Sequence, residues 1–173
     1  MKLSAGFFIG IICLLSCNGK QESIAEEKWK TQNVYFPFAP IYSNNFEKGD
    51  PKKAEMVLQV WRQYETGRVS QTGKYFADSI RFILPDQILI GKKDSILRLY
   101  ENKRTGYSNM QCFIYSWMPV HVEDKNENMV FVWGLYDGTK LNGDRDYALV
   151  HEIWRFDHNG KIKELEQFRT HPH

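Results

Sequence analysis

The stretch HEIWRFDHNGKIKEL, His151 to Leu165, decides the fold. Side chains alternate across a strand, so Val150, Glu152, Trp154 and Phe156 share one face, and His151, Ile153 and Arg155 the other. His158-Asn159-Gly160 marks a turn, and a second strand-like run follows from Lys161. If Phe156 pairs with Lys161, Glu152 lies opposite Leu165 and diagonal to Gln167. Arg169 is farther along the same face, yet long enough to approach. His151, Arg155, Asp157 and His158 read as solvated decoration of this hairpin.

Working outward, the residues before the hairpin are also strand-like. Gln111 to Val122, Met129 to Tyr136, Tyr147 to Phe156 and Lys161 to Thr170 are rich in β-branched and aromatic side chains. Asp124 to Asn128, Asp137-Gly138 with Asn142-Gly143, and the His-Asn-Gly turn separate them. Helical signals come earlier. Asp50-Pro51 reads as an N-cap followed by proline at the first helical position. In PKKAEMVLQVWRQYETG, Ala54, Val57, Val60, Trp61 and Tyr64 fall on one face, and Gly67 ends the helix. A short second helix is expected over Val69 to Phe76, a strand over Ser79 to Leu84, and a third helix over Lys93 to Lys103 burying Ile96, Leu99 and Tyr100. Helices first and a meander afterwards predict a single α+β domain, with three N-terminal helices on one face of a curved antiparallel sheet.

The amino terminus carries an address. MKLSAGFFIGIICLLSC has a basic start and an apolar core from Phe7 to Leu15 that is short for a membrane span. Leu14-Leu15-Ser16-Cys17 resembles the lipobox of bacterial lipoproteins. Residues 1–16 are therefore expected to be a signal peptide, Cys17 the lipidated residue, and the membrane a partner through that lipid. Asn18 after the cysteine favours the outer membrane of a bacterial envelope. Residues 17–50 form a polar tether ending in an aromatic arm, VYFPFAPIY, and residues 51–173 the domain.

Of the three cysteines, Cys13 leaves with the signal and Cys17 carries lipid, so only Cys112 remains and no intrachain disulfide can form. Cys112 lies in the apolar run MQCFIYSW and reads as a packed thiol. A hydrophobic core must hold the chain, and 14% aromatic residues suit that. With 23 basic and 21 acidic residues there is no electrostatic reason to expect nucleic acid. His121 reads as packed or solvated, and His171-Pro172-His173 as a tail without a third metal ligand. No Gly-rich phosphate loop is present, so no cofactor and no metal is expected. Trp61, Tyr64, Trp117, Trp133 and Trp154 could stack on a flat ligand or simply fill the core.

The stretches KYFADSIRFILPD, IGKKDSILRLY and HEIWRFDHNGKI together resemble the nuclear transport factor 2-like (NTF2-like) superfamily. That superfamily includes SnoaL-like polyketide cyclases, ketosteroid isomerases and scytalone dehydratase. The resemblance covers about Pro51 to Arg169. With VWRQYETG and FVWGLYDG, the whole chain is similar to a group of bacterial lipoproteins of this superfamily. It implies a cone whose concave face carries Glu152 under the helices. Val57, Val60, Trp61, Tyr64, Phe82, Leu84, Val150, Trp154, Leu165, Gln167 and Arg169 would then line a pocket.

In ketosteroid isomerases the general base, a tyrosine and a protonated aspartate form the site. The resemblance places these positions on Leu84, Val60 and Glu152, so one of three is retained. Asp86, two residues beyond Leu84, could replace the base if the strand continues. A carboxylate among Trp154, Val150 and Leu165 must be hydrogen-bonded, paired or protonated. It is either satisfied by Gln167, Arg169 or a helix residue, or a polar handle in a ligand pocket. Three functions follow. The first is an envelope domain that binds a small apolar ligand or an envelope partner without catalysis. The second is a cyclase, isomerase or dehydratase with Glu152 as acid or anchor and Asp86 as base. The third is a structural homodimer joined through the Leu149–Ile153 face.

Overall fold

A computed structural model describes residues 37–170, and the compact unit treated below begins at Pro40. The signal peptide, Cys17, the tether to residue 36 and the terminal His171-Pro172-His173 lie outside the described residues.

Helix α1 spans Pro51–Glu65, and its start follows from local chemistry. The Asp50 carboxylate accepts from the Lys52 amide at 2.9 Å, and Pro51 has no amide to leave unpaired. At the other end Gly67 adopts φ +73°, a left-handed conformation that glycine takes without a Cβ penalty. Ala54, Val57, Val60 and Trp61 are buried, as their spacing requires. The second helical segment, Val69–Tyr75, is a 3-10 helix. Helix α2 spans Lys93–Thr105 and buries Ile96 and Leu97, whereas Leu99 is exposed. Tyr100 packs against the core as expected, and Leu97 takes the inward place expected of Leu99. Arg104 joins the helices by donating to the carbonyls of Tyr64, Glu65 and Tyr107. Those donations satisfy carbonyls that the carboxyl end of α1 leaves unpaired.

The sheet has seven strands: β1 (Phe46–Lys48), β2 (Phe76–Ile83), β3 (Ile88–Lys92), β4 (Tyr107–Val122), β5 (Glu127–Lys140), β6 (Arg145–Phe156) and β7 (Ile162–Thr170). Their order is β1-β4-β5-β6-β7-β2-β3. Every pair is antiparallel except β2 with β7, so the sheet is mixed, not all antiparallel as expected. The parallel pair arises because β2 lies between β7 and β3 in the sheet and runs in the same direction as β7. β1 and β3 are edge strands, and β1 lies between the expected arm and α1. Irregularities at Tyr107/Asn109 and Ile114/Ser116 interrupt the β4–β5 ladder. Bulges bend a strand and sharpen its twist, which curves the sheet around α1 and α2.

The hairpin register differs from the simple one. Phe156 pairs with Ile162, and a bulge follows before Arg155 pairs with Glu164. Asp157 causes this: its carboxylate accepts from the amides of Asn159 and Lys161, closing a wider turn that ends at Gly160, φ +73°. Glu152 is consequently opposite Gln167, and Leu165 is opposite Trp154.

The concave face packs on the helices. Val130, Val132, Val150, Trp154, Phe156 and Leu165 join Val57, Trp61, Phe76, Phe82, Ile96 and Leu97 in one core. On the convex face, Phe131, Trp133, His151 and Phe168 form an aromatic ladder, with the His151 ring stacked on Trp133 at 4.7 Å. Beside it Arg155 is ion-paired with Glu164 at 2.9 Å and Glu127 at 3.5 Å. Asp157, His151 and Arg155 are therefore built into the structure and are not mere decoration.

Candidate functional site

Glu152 is 1% exposed, yet it carries a carboxylate into an apolar core. Four elements supply its partners. Trp61 of α1 donates its indole N–H to Oε2 at 2.7 Å, and Trp154 of β6 donates to the same oxygen at 2.9 Å. Gln167 of β7 donates to Oε1 at 2.7 Å, and the Tyr136 hydroxyl of β5 donates to it at 3.2 Å. A carboxylate has about four lone-pair sites, and all four are taken. Burial raises the Glu152 pKa above its ordinary value, while the bonds from Gln167, Trp61, Trp154 and Tyr136 oppose that rise. No cation takes part. Arg169, expected near Glu152, instead donates to Asp146.

A cavity of about 360 Å³ opens beside this network, at the end of the sheet where β5 finishes and β6 begins. Tyr64, Tyr100, Tyr107 and Tyr136 supply rings to its wall, with Leu84, Pro85 and Met110 as apolar neighbours. Gln167, Arg169, Lys103, Lys140, Asp86 and Asp146 supply the polar groups. Glu152 is not in the wall, but it holds two members of it, Tyr136 and Gln167. The rings pack in a chain: Trp61 stacks on Tyr136 at 4.6 Å, Tyr64 lies 5.4 Å from Tyr136, and Tyr100 lies edge-on to Phe82 at 5.1 Å.

Of the expected lining residues, Tyr64, Leu84, Gln167 and Arg169 reach the cavity. Val57, Val60, Trp61, Phe82, Val150, Trp154 and Leu165 do not; they are packed in the core under the helices. The difference is one of depth, because the aromatic side chains fill the bottom of the cone. Asp86 is exposed at the rim, in the turn after β2, since the strand ends at Ile83. It does not share a strand face with Leu84, and no geometry brings it to Glu152. Pro85, Lys103, Tyr107, Met110, Tyr136, Lys140 and Asp146 also line the wall although sequence reasoning did not single them out as lining, and Tyr100, expected in the core, joins them. Lys140 and Asp146 lie where β5 and β6 extend past the turn residues that seemed to end them.

The wall is chemically quiet. Burial pushes the phenols of Tyr64, Tyr100 and Tyr136 well above the ordinary tyrosine value, and that of Tyr107 up to about 12, where the bond to Asp146 adds to burial. All four are neutral donors at physiological pH. Burial alone would raise Asp146, but the Tyr107 hydroxyl and the Arg169 guanidinium outweigh it and hold the carboxyl below its usual range. Burial pushes the Cys112 thiol up to about 12, which leaves it a packing group. His121 contacts Asn128 at 3.3 Å. No cluster of three metal-ligating side chains occurs among the described residues.

No family model matches the chain, and no curated protein matches it in sequence. Solved structures match it in fold. An NTF2-like protein from Exiguobacterium sp. 255-15 is 16% identical, with a TM-score of 0.57 over 68% of this chain and 99% of that one. A protein from Shewanella denitrificans OS-217, described as a SnoaL-like polyketide cyclase, gives 16% and 0.58 over 70% and 92%. AusH from Aspergillus nidulans gives 15% and 0.57 over 73% and 89%. These likenesses define the class of the chain as an α+β protein of the NTF2-like, SnoaL-like fold. At such identities they speak of the fold alone.

Proposed function

We propose that the chain is a lipid-anchored envelope domain that binds a small amphipathic molecule in the tyrosine-lined cavity without transforming it. One observation carries this reading: Glu152, the carboxylate at a position catalytic in ketosteroid isomerases, is saturated by internal donors. The cavity beside it offers rings and unionised phenols. Tyr64 and Tyr100 line the same cavity, and a neutral phenol can donate to a ligand there. The sequence expectation of an apolar ligand is modified accordingly. A catalytic role for Asp86 lacks the second converging group that acid–base chemistry needs.

The anchor reading comes from Leu14-Leu15-Ser16-Cys17, with Asn18 favouring the outer membrane. Among the described residues, no helix is long and apolar enough to cross a membrane. The Tyr42 hydroxyl donates to Glu127 at the start of β5, whereas Tyr136 lies nine residues on, roughly 30 Å along an extended strand. Tyr42 is thus held at the end of the sheet remote from the cavity, which it does not line.

The test uses a Cys17→Ser chain. It should leave the membrane fraction in which the parent chain sediments. Added naphthalene-type fragments should then shift the amide signals of Tyr64, Tyr100 and Gln167. Retention in the membrane would contradict the anchor, and fragment shifts confined to Trp133 and Phe168 would contradict the cavity.

A second reading, homodimerisation, has its own observation. The convex face exposes Phe113 at 45%, Tyr115 at 61% and Phe168 at 52%, around a His151 Nε2 that is buried without a partner. Contiguous exposed apolar surface of this kind marks interaction sites. Sedimentation equilibrium should give a dimer for the parent chain and a monomer for Phe168→Glu. A parent monomer at high micromolar concentration would rule the dimer out.

A further inference from the structure

Building on the ligand-binding reading of the same cavity, we infer that its ligand is a monoanion: a carboxylate joined to a planar or alicyclic apolar body. The wall holds three cations, Lys103, Lys140 and Arg169, against two carboxylates, Asp86 and Asp146. One positive charge is therefore in excess. Asp146 already accepts from both Tyr107 and Arg169, so its capacity for the remaining cations is small. Arg169 lines the wall with its guanidinium held by Asp146. The hydroxyls of Tyr64 and Tyr100 add two more donors to the same wall. Donors and excess positive charge together call for an anionic oxygen head group. Leu84, Pro85, Met110 and the tyrosine rings leave the rest of the space to an apolar body. At about 360 Å³ the cavity is at the lower end of the range for small-molecule sites, roughly 300–1,000 Å³, so that body is one or two rings in size.

Phosphate is the chemistry that the geometry disfavours. A phosphate dianion exceeds the single-charge excess. Phosphate sites also draw on helix amino termini, whose amides point at the ligand. Here α1 and α2 approach the cavity with their carboxyl ends, through Tyr64 and Lys103. Those ends carry partial negative charge and oppose a dianion more than a monoanion. Lys103 and Lys140 are exposed at the rim, so replacing them alters the charge of the mouth without touching the core.

The experiment is calorimetry and amide-shift mapping on the Cys17→Ser chain with four probes of matched shape: 2-naphthoate, 2-naphthyl phosphate, naphthalene-2-methanol and naphthalene-2-methylamine. Naphthoate should bind at least about tenfold more tightly than the alcohol, and the amine should bind more weakly than either. Lys103→Gln combined with Lys140→Gln should reduce the naphthoate advantage by about tenfold and leave the alcohol unchanged. The alcohol binding in the cavity as tightly as naphthoate would overturn the monoanion and leave the cavity reading standing. Tighter binding of the phosphate would overturn the carboxylate. Shifts absent from Tyr64, Tyr100 and Gln167 with every probe would overturn the inference and the cavity reading together.

Discussion

Replacing Glu152 by alanine is expected to destabilise the domain by about 4 kcal/mol, because it removes an acceptor shared by four donors, two of them buried indoles, and leaves a cavity. Trp61 and Trp154 are the decisive partners. An indole N–H can only donate, so neither side chain can rearrange to satisfy itself. Glu152→Gln should behave differently. Its amide oxygen can face the two indoles while its NH₂ faces Tyr136 and Gln167. The Tyr136 hydroxyl can turn to accept, and the Gln167 amide can flip. That variant should cost only about 1 kcal/mol. Urea unfolding of both variants separates the two cases, and similar losses for alanine and glutamine would contradict the network.

The same pair of proteins has a defined pH dependence. Glu152 has a folded pKa raised above 4.5, so the folded state binds its proton more readily than the unfolded chain does. Its contribution to stability is complete below the unfolded value and is lost as pH rises through the raised one. Glu127 and Asp146 have lowered values and act in the opposite sense, losing their contributions as pH falls. The difference between Glu152→Gln and the parent isolates the first effect. Between the ordinary glutamate value and the raised one, the glutamine variant should gain stability relative to the parent as pH increases.

The second large effect concerns Gly134. A Cβ there would lie 2.7 Å from the Phe113 carbonyl oxygen and 2.7 Å from Cη2 of Trp61. The carbonyl belongs to a paired strand and cannot move, so the indole must. Trp61 is the side chain through which α1 donates to Glu152, and displacing it disturbs both packing and hydrogen bonding. Gly134→Ala should cost about 3 kcal/mol, at the upper end of the range for overpacking. Thermal denaturation checks this, and the Trp61 indole N–H signal should shift with it. A stability within a few tenths of the parent, with that signal unmoved, would mean that α1 does not sit so close to β5.

Legibility followed the reach of each interaction. α1 was readable because Asp50-Pro51 and the Ala54-to-Tyr64 face are local signals. β6 and β7 were readable because their alternation surrounds a turn written in the sequence. The edge strands β1 and β3 are three and five residues long, too short for a pattern to stand out. The hairpin register was displaced by the Asp157 turn, whose backbone bonds no periodicity reports. Glu152 was legible as a carboxylate needing partners, and Gln167 as one of them. Trp61 and Tyr136, 91 and 16 residues away, come together with it only through tertiary packing. The cavity wall was the least legible part, because it is assembled from strand ends and helix carboxyl termini, where side-chain patterns fade.

The most direct measurement is a carbon-detected NMR titration of the Glu152 carboxyl in the parent chain, in Gln167→Ala and in Arg169→Gln. The account predicts a midpoint above 4.5 in the parent, a further rise when the Gln167 donor is lost, and little change when Arg169 is replaced, since that guanidinium belongs to Asp146. A midpoint below the ordinary value that rises on replacing Arg169 would mean an ion pair at Glu152, and would contradict the network of neutral donors.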